Sequence, residues 1–224
     1  MERHFHEELN DLKQKLFQMG LLVEAAIEKA IDALLNQNAK FAKQVIEEEE
    51  VINQFEIEID DKGHSLSALG QPMAGDLRLL AVILKMSTDF ERMGDHAVNI
   101  AERTLALIDK EPLIEVDVKL PEMAKATLGM VTDALSSFID QNVDLARSVL
   151  ERDDEIDAYN DQLYFELAQR MEKNPSMIKI GLHLIMIGHN LERIADLANN
   201  IAEDVVYMKQ GKEVRHHIET NLPL

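Results

Sequence analysis

The 224-residue chain has no cysteine and no tryptophan. Without thiols there is no cysteine nucleophile, no disulfide framework and no cysteine-ligated zinc or iron–sulfur site, and the composition suits a reducing compartment. Aromatics make up 4% and glycines number 9, which argues against β-sandwiches and barrels, because both lean on aromatics and tight glycine turns. Long apolar runs are missing too. The most apolar window, Leu77–Met86, is about half a membrane span and carries Arg78 and Lys85. Positive charge is scarce: Lys+Arg 23 against Asp+Glu 42 leaves −19. A surface that acidic repels phosphate backbones and anionic headgroups, so neither nucleic acid nor direct membrane insertion is expected. Metal ions and basic patches on other proteins are the partners it favours. The opening MERHFHEELND has no basic region and apolar core of a signal peptide, which predicts a soluble, cytosolic protein. No Walker loop, Gly-x-Gly-x-x-Gly or Gly-x-Ser-x-Gly is present.

What is there is helix. Hydrophobic residues at 46% beside charged residues at 29%, with apolar positions recurring at spacings of three and four, predict an all-α protein. Asn36-Gln37-Asn38 separates a first helix, near 5–35, from a second near 39–68. Gly70-Gln71-Pro72 ends the second, and a third runs over about 75–109. Glu111-Pro112 and Pro121 bracket a linker. A fourth helix over 122–140 precedes a turn at Asn142, a fifth runs to Asn174-Pro175, and a sixth spans 176–210 before Gly211. The predicted organisation is thus a three-helix bundle over 1–112, a linker over 113–121, a second three-helix bundle over 122–212 and a loose tail over 213–224.

The halves resemble each other in residues as well as layout. TDFERMGDHAVNIAE (88–102) matches HNLERIADLANNIAE (189–203), and EEVINQFE (49–56) answers DDEIDAYN (153–160). The acids held in common occupy a particular arc. At about 100° per residue, Leu77, Leu80, Leu84 and Val98 fall within about 40° of Glu91, and so do Asp95 and Glu102. Lys85, Asp89, Arg92, His96 and Arg103 lie on a separate polar arc. Glu192 and Asp196 likewise continue the line of Ile178 and Ile185. Asp153 and Asp157 lie near Val149 and Ile156, and their first-half equivalents are Glu49 and Asn53.

Like charges four apart on a helix repel, so an arrangement repeated in both halves implies something that offsets the repulsion. A hard cation does so: carboxylate and amide oxygens suit magnesium, calcium or manganese, and carboxylate clusters in helical bundles hold iron; zinc is a further candidate. The expected metal-ligating set is Glu49, Glu91, Asp95, Asp153, Asp157, Glu192 and Asp196, with Asn99 and Asn200 adding neutral oxygens one turn on. The same spacing also fits acids paired with basic side chains of a neighbouring helix, with Arg92 and Arg193 beside each glutamate. His189, three residues before Glu192, is a further candidate ligand. His96 points about 100° from Asp95 and is expected on the surface. His4 and His6 fall in a terminus expected to be loose, and Glu213-x-x-His216 lies outside the bundles. The 11 methionines read as core filler, and Glu47–Glu50 as a solvated run of which only Glu49 aligns with a candidate ligand.

Glu-Arg-Met-Gly-Asp-His-Ala-Val-Asn-Ile-Ala-Glu (91–102) closely resembles the signature of the PhoU family, and GQPMAGDLRLL (70–80) resembles the segment before it. The resemblance implies two three-helix bundles side by side, usually in a homodimer. It implies a cytoplasmic regulator without a known reaction, which holds the phosphate-starvation response and phosphate uptake off. Its partners would be the ATPase subunits of the phosphate ABC transporter and a sensor histidine kinase, met at the inner face of the membrane. Family members carry multinuclear metal clusters on Glu/Asp-x-x-x-Asp motifs, which map onto Glu91/Asp95, Glu192/Asp196, Asp153/Asp157 and Glu49/Asn53; Asn53 departs from the pattern. The alternative is a carboxylate-bridged metal enzyme, an oxidase or phosphoesterase. It lacks paired Glu-x-x-His motifs and any evident general acid or base beyond the ligands.

Overall fold

The computed structural model describes residues 2–69, 73–108 and 119–211, and among these there are helices and no strands. In chain order they are α1 (Glu2–Leu35), α2 (Ala39–Leu69), α3 (Ala74–Ile108), α4 (Leu120–Asp140), α5 (Val143–Leu150), α6 (Asp153–Lys173) and α7 (Ile178–Gln210), with a 3₁₀ turn at Pro175–Met177 before α7. The all-α expectation holds. No described helix is long and apolar enough to cross a membrane. The Gly70-Gln71-Pro72 break, the linker apart from its last residues, and the tail beyond Gly211 lie outside the described residues.

Two expectations are corrected. The predicted fifth helix is two helices, α5 and α6, parted by a turn at Glu151-Arg152. The amino-terminal stretch is helical from Glu2, so His4 and His6 belong to α1, with His6 Nε2 3.6 Å from Asp76 on α3.

The repeat is visible atom by atom. Gln37 and Gln141 both take the left-handed conformation, with φ of 51°. The next residue in each half, Asn38 or Asn142, caps the following helix: Asn38 Oδ1 accepts from the amides of Lys40 and Phe41, and Asn142 Oδ1 from that of Leu145. At equivalent positions an ion pair has kept its place and exchanged its charges. Lys29 on α1 meets Glu48 on α2, whereas Asp133 on α4 meets Arg152 at 2.6 Å. Arg152 Nε also donates to the carbonyl of Ser148 at 3.2 Å, across the break that α2 lacks.

Helices α1, α2 and α3 pack on one another, as do α4, α5, α6 and α7, and the two bundles join along α3 against α7 and α1 against α4. Helices α2, α3, α7 and α6 therefore follow one another across one layer, with α1 and α4 behind. Lys85 reaches Asp204 at 2.9 Å and His96 reaches Asn190 at 2.8 Å. Rising numbers on α3 meet falling numbers on α7, so the central pair is antiparallel. The core behind it includes Leu12, Leu16, Met19, Phe90, Met93 and Phe138, all at most 1% exposed. Methionine as core filler holds for Met19, Met86, Met93, Met123 and Met130, but Met73 and Met186 are 72% and 43% exposed.

Candidate functional site

The acid-bearing arcs of α3 and α7 lie opposite the residues that pack on α1 and α4. Because the repeat relates these antiparallel neighbours, both arcs open on the same face of the layer. Each faces the second helix of its own half. In the first half a groove runs between α2 and α3, whose register is fixed where Ile52 closes on Gly94 and Leu84 on Gly63. In the second half the α6/α7 groove has the same register, with Leu163 against Gly188 and Met171 against Gly181. The small glycines let each helix pair approach closely enough for the acids of both to interact.

In the first groove Glu49 lies in hydrogen-bond reach of Asp95, and Glu91 interacts with Asp95, Glu56 and Glu49. Burial is the main cause that holds the Glu49 carboxyl above the usual carboxylate range; the Asp95 carboxyl beside it adds to this. Glu91 is pushed up by burial, then by Asp95 and Glu56, while Arg92 on the same helix opposes the shift. In the second groove Asp153 is raised by burial and then by Asp157 and Asp196, and a hydrogen bond from Asn199 opposes it. Asp157 is raised by burial and by Asp196. These are carboxylates crowded faster than cations reach them.

The arginines that reach them come from their own helices, Arg92 in the first groove and Arg193 in the second, and not from a neighbouring helix as the spacing also allows. Arg193 Nη1 lies 3.0 Å from Asp196 Oδ2 and its Nε 4.0 Å from Glu192 Oε2, and His189 Nδ1 lies 2.9 Å from the same Glu192 oxygen. Arg193 and His189 are thus drawn to the acids, the latter on the face its spacing predicted.

Of the expected ligands, the structure brings together Glu49, Glu91 and Asp95 in one groove and Asp153, Asp157 and Asp196 in the other. Glu192 stands beside them, engaged by His189 and Arg193. Asn99 is exposed and Asn200 half-buried; the amide that reaches a carboxylate is that of Asn199. Glu56, two turns after Glu49, was also missed, although that seven-residue interval places both on one side of α2. Among the described residues no three Asp, Glu or His side chains are gathered at metal-holding distances. The donor set nonetheless suits a hard cation: every donor is oxygen, four carboxyls are raised, and the buried amide oxygens Asn53 Oδ1 and Asn199 Oδ1 have no hydrogen-bond partner.

His96 is not a surface residue. It is half-buried between the bundles, and Asn190, whose Nδ2 donates to the carbonyl of Met186 at 2.6 Å, offers its Oδ1 to His96 Nδ1. The arc of Lys85, Asp89 and His96 is the seam to α7, with Asp89 4% and Asp204 1% exposed.

A family model, the PhoU domain, matches the chain twice, over residues 16–104 and 120–205. A protein of Aquifex aeolicus (strain VF5), named phosphate-specific transport system accessory protein PhoU homolog, is 40% identical over 214 residues, spanning 95% of this chain and 96% of its own length. A crystal structure of PhoU from Pseudomonas aeruginosa superposes with a TM-score of 0.90 at 36% identity, covering 93% of this chain and all of that one (100%). The phosphate transport system regulatory protein PhoU from Streptococcus pneumoniae gives a TM-score of 0.85 at 33% identity, over 94% of this chain and 99% of its own.

Proposed function

The chain belongs to the PhoU family, and from that premise we propose that it is a cytoplasmic adaptor that restrains phosphate uptake and the phosphate-starvation response. Its relatives bear the names of accessory and regulatory proteins of phosphate transport, which supports a role in regulating that transport. The observation that carries the reading is the pair of carboxylate grooves opening on one face, built twice from the same positions. A face so rich in acid, without a nucleophile or phosphate loop, serves to be recognised; the adaptor acts by docking, not by catalysis. Its partners are the ATPase subunits of the phosphate ABC transporter and a sensor histidine kinase, and it works as a homodimer at the inner face of the membrane.

Metal ions belong to this reading. Glu49, Glu91 and Asp95 would hold a cation in one groove, and Asp153, Asp157, Glu192 and Asp196 in the other, with Asn53 and Asn199 offering their free amide oxygens. The ion would supply positive charge that offsets the crowding of these acids. The residues themselves shape the face and fix the acids on two rigid helix pairs.

The test is alkaline phosphatase activity in cells grown at high phosphate, carrying Glu91→Ala with Glu192→Ala. Released expression, with the variant protein folded and present at normal level, is expected. Full repression by that variant would overturn the role given to these acids.

A further inference from the structure

The two grooves are not equivalent beyond their acids. Towards the 3₁₀ turn, the α6/α7 groove is lined by apolar side chains. On α6, Tyr164, Ala168 and Met171 share the arc of Asp153 and Asp157; on α7, Ile178, Leu182 and Ile185 share that of Glu192 and Asp196. Tyr164 is 61%, Leu182 52% and Ile178 45% exposed. In the first half the corresponding α2 positions are Asp60, His64 and Ser67, and the counterpart of Leu182 is Ala81. On α3 the counterparts of Ile178 and Ile185 are Leu77, 48% exposed, and Leu84, so the halves differ in the α6 wall and at Leu182, which are apolar in the second half alone. Exposed apolar side chains set in line along a groove mark a site of association.

We propose that the α6/α7 groove is the docking site for an amphipathic helix of a protein partner, one that carries lysine or arginine beside its apolar stripe. The inference rests on the adaptor reading for the class of partner. The shape argues for a helix: two helices side by side frame a straight channel, and the stretch from Asp157 to Met171 is long enough for about four turns. The rim argues for its charge. Asp161, one turn beyond Asp157, is exposed on the α6 edge, on a chain of net charge −19. A basic side chain over that edge meets the Asp161 carboxylate, while the partner's apolar residues cover Tyr164, Leu182 and Ile178.

The probe is a fluorescent 15-residue helical peptide with leucines at i, i+4, i+7 and i+11 and lysines flanking them, beside a scrambled peptide of equal composition. Anisotropy should show the ordered peptide bound by the full chain and by Ala81→Asp. Leu182→Asp and Tyr164→Asp should each weaken it by roughly tenfold or more. Both positions are exposed, and helical circular dichroism confirms that the variants fold. Equal binding of the scrambled peptide, or no loss in Leu182→Asp, would overturn the groove. So would a smaller oligomer for Leu182→Asp in sedimentation, which makes a second copy of this chain the occupant. In cells, repression lost with Leu182→Asp but kept with Ala81→Asp supports the groove. If Leu182→Asp represses fully while Glu91→Ala with Glu192→Ala does not, the groove falls and the adaptor reading stands.

Discussion

Asp157 faces Asp153 one turn back and Asp196 across the groove, and burial and Asp196 raise its carboxyl. A carboxyl whose value is higher in the folded than in the unfolded state binds its proton more readily when folded, so stability falls as pH rises through the interval between the two values. In metal-free protein at neutral pH, ionised Asp157 is therefore a cost. Asp157→Asn removes that cost without touching the first turn of α6, where Asp153, Asp154 and Glu155 favour the helix dipole. The variant should be more stable than the parent by about 0.2–0.5 kcal/mol at pH 7, the size of a like-charge pair one turn apart. The gain should shrink as pH is lowered into the usual carboxylate range. Urea unfolding in chelator across that pH range reads both; a variant less stable at pH 7 would mean that Asp157 already has a compensating cation. Adding the cognate metal should reverse the order, because ligation favours the parent.

At the scale of elements, punctuation decided what could be read. Asn36-Gln37-Asn38, Asn142 and Pro175 stop or start helices through groups whose chemistry is local, so α1, α2, α4 and α7 stand within a few residues of their expected bounds. The break between α5 and α6 carries no such residue. Glu151 and Arg152 are ordinary helix formers, and Val149 and Ile156 keep the apolar period running through it; Arg152 bending back to Ser148 and out to Asp133 marks the place. The acid clusters were legible because duplication singled them out. Asn199 was not, because its neighbour Asn200 matches the repeat while only Asn199 is turned to Asp153. Caps give the element-scale test. Asn142→Ala should cost about 1 kcal/mol in urea unfolding, since the amide of Leu145 loses its acceptor. Asn38→Ala should cost a similar amount if the two halves are equivalent there. An unchanged midpoint in either variant would show that water replaces the cap.

At the scale of the whole molecule the question is what holds two similar bundles in one register. Helical angles place Lys85, Asp89 and His96 on one arc of α3, but they cannot say what lies across it, which is why a polar arc reads as solvent when it is a seam. Across it Asp204 is 1% exposed and takes Lys85 at 2.9 Å, while Leu197 and Ile201 are buried on the same helix. The apolar residues hold the bundles together, and the Lys85–Asp204 contact at 2.9 Å adds a polar pair that is made in one register only. Removing Lys85 takes a hydrogen-bonded cation away from a nearly buried carboxylate, so Lys85→Met should lower stability by about 2 kcal/mol, the partial exposure of Lys85 moderating the loss. Adding Asp204→Leu should restore most of that loss, because an apolar pair of similar volume needs no counter-charge. The repeat has already made half of that exchange, with Met186 at the position equivalent to Lys85. Urea unfolding followed by circular dichroism separates the outcomes. A loss in the single variant recovered in the double assigns the pair to register rather than to net stability. A loss that persists in the double would mean that the polar contacts themselves bind α3 to α7.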